Sequence, residues 1–256
     1  MDLGLDGRAY VLTGASRGLG LAAARCLVAD GARVVVSSRT KDNVEAAVAA
    51  LNTDAGDTRA VGLTADLADP ETPARLMDAA TSSFGRLDGA LLSVGGPPPG
   101  TAAKVSDDQW RQAFESVFLG GVRAMREVLA RLESGGAVGL VLSTSARSPM
   151  AGLGISNGLR PGLAGVVKDM ADEYGPTGLR VFGLMPHRIL TDRLHEIFAA
   201  SGDPETMRAD AEGSIPVRRI GDPMEFGRVA AFLLSPAASY LTGLCVPIDG
   251  GALRTV

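Results

Sequence analysis

Three glycines, Gly14, Gly18 and Gly20, share the segment Thr13–Gly20 with residues that could bind the phosphates of a dinucleotide. The segment lies between a predicted strand and a predicted helix, and this setting makes the triplet informative. Gly14 would permit the tight turn, Gly18 would let the backbone approach a pyrophosphate, and Gly20 would let the helix pack on the sheet. The helix N-terminus would add free N–H groups. We predict a dinucleotide site rather than a glycine-rich turn without a ligand.

The second predicted strand indicates which dinucleotide the site prefers. An acidic residue about 20 positions after the glycines would bind a ribose 2′-hydroxyl and repel a 2′-phosphate. The strand ends instead in Ser38 and Arg39, and Arg17 lies inside the glycine segment. Guanidinium groups are planar donors suited to a phosphate, although each arginine could also be a solvated surface charge. The sequence therefore favours NADP(H) over NAD(H).

Short apolar runs alternate with helical stretches along the chain, which is typical of a parallel sheet covered on both faces. The predicted strands span residues 8–12, 33–37, 59–64, 89–93, 139–143, 180–184 and 244–248. The predicted helices span 19–29, 43–51, 73–84, 106–132, a segment ending near 174, and 224–235. Without a repeat or linker, residues 1–256 are predicted to form one Rossmann-type, doubly wound α/β domain. Its dinucleotide-binding half would be about 1–145 and its catalytic and substrate part about 146–256.

Composition and charge exclude several classes of protein. The 256 residues include 46% hydrophobic and 21% charged residues, with a net charge of −4. This balance, without a basic cluster, argues against nucleic-acid and membrane-surface partners. No apolar run reaches the ~18 residues of a membrane span, and no signal-peptide pattern is present. Two cysteines, Cys26 and Cys245, cannot form a disulfide framework, so we predict a cytoplasmic location. No metal site is predicted.

The order of these motifs resembles the short-chain dehydrogenase/reductase superfamily over essentially the whole chain, and most closely its 3-oxoacyl-(acyl carrier protein) reductase-like branch. Thr13–Gly20 matches the glycine motif of that family, and Ser38-Arg39 matches its NADP-preferring members. Pro186–Thr191 matches the segment that holds the nicotinamide carboxamide, and residues 219–251 resemble the C-terminal helix and strand. The resemblance implies a seven-stranded sheet, a homotetramer or homodimer, and a small-molecule carbonyl or alcohol substrate.

The same resemblance extends the set of cofactor contacts. Asp66-Leu67 matches a pair that contacts the adenine in relatives, and Gly95 is retained from the family's Asn-Asn-Ala-Gly segment. The predicted cofactor-binding residues are Gly14, Ser16, Arg17, Gly18, Leu19, Gly20, Ser38, Arg39, Asp66, Leu67, Gly95, Pro186, Ile189 and Thr191.

The family's catalytic Asn-Ser-Tyr-Lys tetrad is largely missing. In relatives the tyrosine protonates the carbonyl oxygen while hydride arrives from the nicotinamide, and the lysine lowers the tyrosine pKa. Counting back from Ala171–Glu173, which resembles the segment after the tetrad helix, places Ser156 at the tyrosine position and Arg160 at the lysine position. Ser143 has the family's spacing for the serine, and Val117 stands where the family has asparagine. Ser143 is the one tetrad member retained.

The segment Ser156–Arg160 resembles an atypical subgroup with Ser-Asn-x-x-Arg in place of Tyr-x-x-x-Lys, and the loop Gly95–Gly100 fits that subgroup too. A register moved by two residues would instead place Gly158 and Gly162 at the two positions, which fits less well. Pro161 suits the first turn of a helix, so the helix could begin late and redirect Arg160.

Four residues are therefore candidates for chemistry: Ser143, Ser156, Arg160 and His187. The serine hydroxyls could hydrogen-bond a carbonyl oxygen, but each alone is a poor proton donor. Arg160 would stay charged and could hold ribose hydroxyls or a substrate anion. His187 titrates near neutrality beside the expected nicotinamide, although a loop histidine is more often a satisfied or solvated side chain. His195 is a weaker candidate.

The polar segment 192–219 is predicted to form a mobile lid over the substrate. Five apolar side chains could line a pocket under it or could be ordinary core residues: Leu153, Leu194, Ile197, Phe198 and Met207. Three aromatic residues on one helix face are predicted to serve in packing or in an oligomer seam: Trp110, Phe114 and Phe118.

These features favour an NADP(H)-dependent short-chain oxidoreductase that acts on a carbonyl or alcohol, with 3-oxoacyl compounds as one substrate class. In this reading, Ser143 and Ser156 polarise the substrate oxygen. A second hypothesis is a dinucleotide-binding sensor, scaffold or inactive hetero-oligomer subunit, because three of the four tetrad groups are missing. A third keeps the enzyme but assigns the proton chemistry to His187.

Overall fold

A computed structural model describes residues 2–199 and 201–254. Within them, seven parallel strands form one sheet in the order β3-β2-β1-β4-β5-β6-β7. The strands are β1 Ala9–Thr13, β2 Arg33–Ser38, β3 Ala60–Thr64, β4 Gly89–Ser93, β5 Ala137–Val141, β6 Arg180–Pro186 and β7 Cys245–Ile248. The order reverses between β1 and β4, the place where doubly wound sheets bind ligands beyond the carboxyl ends of their strands. The predicted fold class is confirmed.

Helices cover both faces of this sheet. They are α1 Gly18–Ala29, α2 Lys41–Ala55, α3 Thr72–Phe84, α4 Asp107–Ala113, α5 Gly120–Leu129, α6 Gly154–Tyr174, α7 Asp192–Ala199, α8 Pro204–Gly213 and α9 Pro223–Leu234. Residues of α1, α2 and α9 form the hydrophobic core on one face, and residues of α3, α5 and α6 form the core on the other. None of the helices in the described part of the chain is long and apolar enough to cross a membrane.

The central strands are apolar along their whole length because both of their faces are covered. All five residues of β1 and all five of β5 are buried. At the end of β1, the Thr13 hydroxyl donates to the Ser93 carbonyl at 3.0 Å and accepts from the Ser93 N–H at 2.8 Å. This pair joins the ends of β1 and β4 at the point where the strand order reverses.

The fifth strand lies two residues earlier than predicted. Its pairing with both neighbours places Ala137 opposite Gly89 of β4 and Arg180 of β6. The apolar run continues to Leu142 beyond the strand, so hydrophobicity alone does not reveal the end of the pairing. Ser143 therefore lies past the sheet, where its side chain caps a short turn by accepting a hydrogen bond from the Ser145 N–H.

The helix predicted over residues 106–132 is interrupted. Ser106 begins α4 with a capping box formed with Gln109, as its acidic first turn favours. Residues Phe114–Leu119 then form a wider π-helical segment before α5. At Gly120 a Cβ atom would stand 2.8 Å from the Leu67 carbonyl oxygen, so the helix passes unusually close to the turn after β3.

Helix α6 corrects the expectation that Pro161 delays its start. The helix begins at Gly154, and Pro161 lies inside it. Backbone hydrogen bonds with the loop at Gly100 hold the beginning of α6. The Gly154 N–H donates to the Gly100 carbonyl at 2.8 Å, and the Gly100 N–H donates to the Gly152 carbonyl at 2.7 Å. Tertiary contacts thus offset the hydrogen bond that the proline cannot make, and Arg160 lies on a regular helix.

The aromatic face around Trp110 packs within the chain. A Cβ atom on Gly158 would lie 2.8 Å from the Trp110 ring, and one on Gly162 would lie 2.9 Å from the Phe118 ring. Phe114 stacks on Phe118 with a centroid distance of 5.2 Å and is 45% exposed. The two glycines therefore face aromatic rings and line neither cavity of the cleft, which disfavours the register that would place them in the catalytic centre.

Candidate active site

Two adjoining cavities of about 460 and 370 Å³ form a cleft at the carboxyl edge of the sheet. The first extends over the ends of β1, β2 and β3 and is lined by Arg39 and Asp66. The second reaches α6 and is lined by Ser143, Ser156 and His187. The cleft therefore joins the two groups of residues that the sequence singled out separately.

Most predicted cofactor residues line this cleft. Those around the first cavity are Gly14, Ser16, Arg17, Ser38, Arg39, Asp66, Leu67 and Gly95. Those around the second are Gly14, Arg17, Gly18, Leu19, Gly20, Gly95, Pro186 and Thr191. Ile189 differs, because its side chain is buried in the core and its main chain pairs with Gly221. Ile189 is therefore not among the residues that line either cavity.

The glycine segment has the backbone geometry that its sequence predicts. Gly14 and Gly18 have φ angles of +58° and +55°, a region that favours glycine. At Gly20, a Cβ atom would lie 2.6 Å from the Gly14 carbonyl oxygen. No side chain of the described residues caps the beginning of α1, whose N-cap residue is Arg17. The N–H groups of the first turn thus remain available to an anion.

Sequence reasoning missed several polar residues of the first cavity. Its wall includes Thr40, Asn43, Gln109, Gln112 and Ser116. These side chains come from α2, from the residue before it, and from the α4 region, so only the tertiary fold brings them together. A polar residue on an exposed helix face carries no local signal that it faces a ligand.

Arg160 is a buried cation held by carbonyl groups. Its Nη1 donates to the Val141 carbonyl at 2.7 Å and its Nη2 to the Gly95 carbonyl at 2.6 Å, while Nε has no partner among the described residues. The side chain is 5% exposed. Burial, assisted by the positive charge of Arg193, lowers the pKa of Arg160 to about 10. The guanidinium remains charged at neutral pH and fixes Gly95 against the end of β5.

Ser156 pairs with a serine that the sequence did not single out. The Oγ atoms of Ser145 and Ser156 lie 2.9 Å apart, and both residues are buried. The Ser143 hydroxyl contacts this pair at the backbone, where it accepts the Ser145 N–H at 3.1 Å. Ser143 and Ser156 both line the second cavity. The three serines therefore form one hydroxyl cluster at its wall, with Ser145 behind Ser156.

His187 has an unforeseen partner in Thr144, whose Oγ1 lies 3.0 Å from Nδ1 of the imidazole. Its backbone N–H donates to the Ile248 carbonyl at 3.1 Å, so β7 fixes the residue in place. Burial and the nearby charge of Arg188 lower the pKa of His187 below its ordinary value, against a smaller opposing effect of Asp249. The imidazole is thus neutral at pH 7 and lines the second cavity.

The lowered pKa of His187 predicts a pH dependence of stability. The unfolded chain binds the proton near pH 6.5, whereas the folded protein binds it only at lower pH. The stability that neutral His187 contributes is present above this pH and is lost as the pH falls below it. Urea unfolding between about pH 7 and pH 5 should show a steeper loss for the wild type than for His187→Asn. Parallel pH profiles would contradict the assignment.

The predicted lid, residues 192–219, contains helices α7 and α8. Phe198 packs with Ala211 and Ile220 in a small core of its own, against which Leu194 lies. Ile197 lines the second cavity together with Leu153. Leu194 and Phe198 thus stabilise the lid and are not in the pocket wall. Two further candidates also lie outside the wall and are exposed: Met207 and His195.

The loop Gly95–Gly100 contacts helix α6, which carries the Ser-Asn-x-x-Arg segment. Arg160 binds the Gly95 carbonyl, and Gly100 pairs with Leu153. Asn157 accepts the Met150 N–H at 2.9 Å and donates to the Met150 carbonyl at 2.8 Å, which fastens the preceding loop to the helix. The two unusual segments are therefore parts of one structural unit at the second cavity.

The sheet order, the glycine turn and the cleft at the strand reversal define a doubly wound protein of the Rossmann type. The family model described as enoyl-(acyl carrier protein) reductase matches residues 14–252, and the chain belongs to this family within the short-chain dehydrogenase/reductase superfamily. Levodione reductase of Leifsonia aquatica is 32% identical over 255 residues, covering 95% of this chain and 93% of that protein.

Two solved structures are similar over the whole chain. The L-sorbose reductase of Gluconobacter frateurii, complexed with NADPH and L-sorbose, has a TM-score of 0.91 and 29% identity, with 100% of both chains covered. A short-chain oxidoreductase of Pseudomonas aeruginosa PAO1, described as containing an atypical catalytic center, has a TM-score of 0.92 and 26% identity, again with 100% of both chains covered.

Proposed function

We propose that the protein is an NADP(H)-dependent oxidoreductase that acts on a carbonyl or alcohol group of a small molecule. The observation that carries this proposal is the cleft extending from Arg39 past the glycine segment to Ser156. Relatives named as levodione reductase and L-sorbose reductase act on such groups. The 3-oxoacyl compounds remain one candidate substrate class within this proposal.

The preference for NADP(H) over NAD(H) rests on the end of β2. Ser38 and Arg39 line the first cavity there, and Arg39 is exposed toward solvent. The residues present fit the cofactor: Gly14 leaves room at Ser93 that a side chain would fill, since a Cβ atom would meet Ser93 at 3.2 Å. The similar structure that contains NADPH supports the same choice.

In this proposal the bound cofactor supplies or accepts the hydride, and the chain positions the substrate oxygen. Ser156 would donate a hydrogen bond to that oxygen, and Ser145 would orient the Ser156 hydroxyl by donating a hydrogen bond to it. Ser143 would hold the same oxygen from the end of β5. Arg160 would keep Gly95 in place beside the nicotinamide ribose, and neutral His187 would close the floor of the pocket. The third hypothesis, in which His187 exchanges the proton, uses the same geometry.

We also propose that the tetrad is degenerate and that the chain belongs to the Ser-Asn-x-x-Arg subgroup. Ser156 and Arg160 line the second cavity, at the positions that the resemblance assigns to tyrosine and lysine. Val117 is buried in the core and offers no polar side chain in place of the asparagine. The similar Pseudomonas aeruginosa oxidoreductase, described as having an atypical catalytic center, supports this assignment.

The same proposal assigns a role to each half of the chain and includes its assembly into an oligomer. Residues of about 1–145 would bind the dinucleotide, and residues of about 146–256 would complete the catalytic and substrate part. Phe114 and Tyr240 are exposed at 45% and 101%, and such surfaces suit a homodimer or homotetramer. Both cysteines are free in the described structure, as the reducing cytoplasm would keep them. Light scattering after size-exclusion chromatography measures the assembly.

Replacing Arg39 with alanine is expected to weaken NADPH binding and to leave NADH binding unchanged. The loss of a charge-assisted contact to the 2′-phosphate should raise the NADPH dissociation constant about ten- to hundredfold. Nicotinamide fluorescence titrations with both dinucleotides measure the effect. Arg33→Ala is the matched control, because Arg33 lies at the opposite end of β2, over the Phe84 ring. An NADPH affinity unaffected by Arg39→Ala would contradict the preference.

Turnover distinguishes the proposal from the inactive dinucleotide-binding protein. The purified protein with NADPH is mixed with ketones, cyclic diketones, ketoses and 3-oxoacyl thioesters, and the loss of NADPH absorbance is followed. Oxidation with any of them supports the enzyme. Tight NADPH binding without oxidation across all these classes would favour the sensor or scaffold, and binding of neither dinucleotide would overturn both readings.

A further inference from the structure

Arg193, on the first turn of the lid helix α7, reaches into the middle of the cleft. Its Nη2 donates to the Pro97 carbonyl at 3.3 Å, a long hydrogen bond. Its guanidinium lies against the backbone of Gly96, where any Cβ atom would overlap it. Gly96 does not have a positive φ angle, so its backbone conformation does not require glycine. The absence of a side chain at Gly96 lets the Arg193 guanidinium approach the backbone this closely.

The position of this guanidinium coincides with the junction of the two cavities. Arg193 lines both of them, as do Arg17 and the backbone of Gly14 and Gly95. Arg17 belongs to the glycine segment, and its guanidinium lies 3.7 Å from Glu196 on α7, the helix that carries Arg193. The beginning of α1, uncapped by any side chain in the described residues, lies beside Arg17. Two guanidiniums and a helix N-terminus thus flank one point of the cleft.

The positive charge at this point has little compensation. No carboxylate among residues 2–199 and 201–254 forms an ion pair with Arg193, and Arg17 has only the exposed Glu196 at 3.7 Å. Arg160 adds a third guanidinium close enough for Arg193 to lower its pKa. Acidic residues do border the cleft, with Asp66 at the first cavity and Asp192 at the second. Neither of them pairs with these arginines, so the site is complementary to an anion.

We propose that Arg193 is a ligand of the dinucleotide pyrophosphate, carried by the lid and acting together with Arg17. This inference rests on the proposed function. On binding, the guanidinium would exchange its long bond to the neutral Pro97 carbonyl for bonds to anionic phosphate oxygens, in which both partners are charged and which are shorter and stronger. Because Ile197 of the same helix lines the second cavity, the cofactor would also fix one wall of the substrate pocket. Substrate should then bind after the cofactor.

Arg193→Ala is expected to weaken NADPH binding about ten- to hundredfold, because it removes the guanidinium from the junction. Gly96→Ala displaces only the end of the flexible Arg193 side chain and should weaken NADPH binding by less. Adenosine 2′-monophosphate, which lacks the pyrophosphate, should bind both variants within about twofold of the wild type. Arg193→Lys keeps the charge without the planar fork and should give an intermediate affinity. Arg208→Ala is the matched control, since Arg208 lies on α8 and pairs with Glu212 at 2.9 Å.

The outcomes of these titrations distinguish the role of Arg193 from the proposed function. Unchanged or tighter NADPH binding by Arg193→Ala overturns the inference while leaving the proposed function standing. An equal loss of affinity for adenosine 2′-monophosphate also overturns it, since the effect would then be a general disturbance of the cleft. A wild type that binds neither dinucleotide overturns the proposed function, and the inference falls with it.

Discussion

Replacing Arg160 with methionine should abolish turnover while leaving the protein folded. Methionine fills much of the same volume but supplies no charge and no donor, so Val141 and Gly95 each lose a hydrogen bond. Each charge-assisted bond contributes about 1.5–3 kcal/mol to stability. Arg160 has no carboxylate partner in the described structure, so removing its buried charge also removes a desolvation penalty of several kcal/mol. This gain offsets much of the loss of the hydrogen bonds. The free energy of unfolding should therefore change by about 2 kcal/mol or less.

The effect on function is expected to be much larger than the effect on stability. Without Arg160 the Gly95 carbonyl, proposed to lie beside the nicotinamide ribose, is no longer fixed. We expect at least a hundredfold loss of turnover, on the order of that for other preorganised donors, and about a tenfold rise in the NADPH dissociation constant. Steady-state kinetics with an accepted carbonyl substrate and fluorescence titration measure the two quantities.

Arg180→Met is the matched control for this substitution. Arg180 is also a buried arginine that binds carbonyl groups, those of Leu233, Leu234 and Ser235. It begins β6, at the edge of the sheet opposite the cleft. Its loss should lower stability and leave the NADPH affinity of the folded protein unchanged. Equal effects of the two variants on cofactor binding would contradict the role of Arg160.

The features that could be predicted from the sequence are those encoded in neighbouring residues. The apolar runs of β1 and β4, the glycine turn and the cap at Ser106 each depend on contacts within a few positions. The doubly wound parallel sheet followed once the strands and helices were seen to alternate, because parallel connections are restricted to few topologies. These constraints predicted the glycine side of the cleft, whereas the family resemblance supplied Asp66, Gly95 and Thr191 of its wall.

The details of the catalytic side depend on residues far apart in sequence. Thr144 meets His187 across 43 positions, and Arg193 meets Pro97 across 96. Neither contact leaves a local pattern, and the same is true of the π-helical segment, where an ordinary amphipathic sequence adopts a wider turn. Ser145 was missed for another reason: the family pattern directs attention to Ser143, whereas the hydroxyl that meets Ser156 belongs to its neighbour two positions on.

Gly20→Ala and Gly165→Ala make the same chemical change within two helices and should have opposite effects on stability. At Gly20 the new methyl group would lie 2.6 Å from the Gly14 carbonyl oxygen and 2.7 Å from the Ala15 Cα atom. Both are backbone atoms, so no side-chain rotation relieves the overlap and α1 must move away from β1. We expect a loss of about 3 kcal/mol in the free energy of unfolding. NADPH binding should also be lost, because the turn that faces the phosphates is displaced.

At Gly165, on the exposed side of α6, a methyl group would meet no atom within 4 Å, and the φ angle is not positive. Alanine has the higher helix propensity and a less disordered unfolded state, so this variant should gain about 0.5–1 kcal/mol and keep its NADPH affinity. Urea denaturation and NADPH titration of the two variants measure the difference. If Gly20→Ala retained wild-type stability and affinity, the close packing of α1 on the glycine turn could not be what shapes the cofactor site.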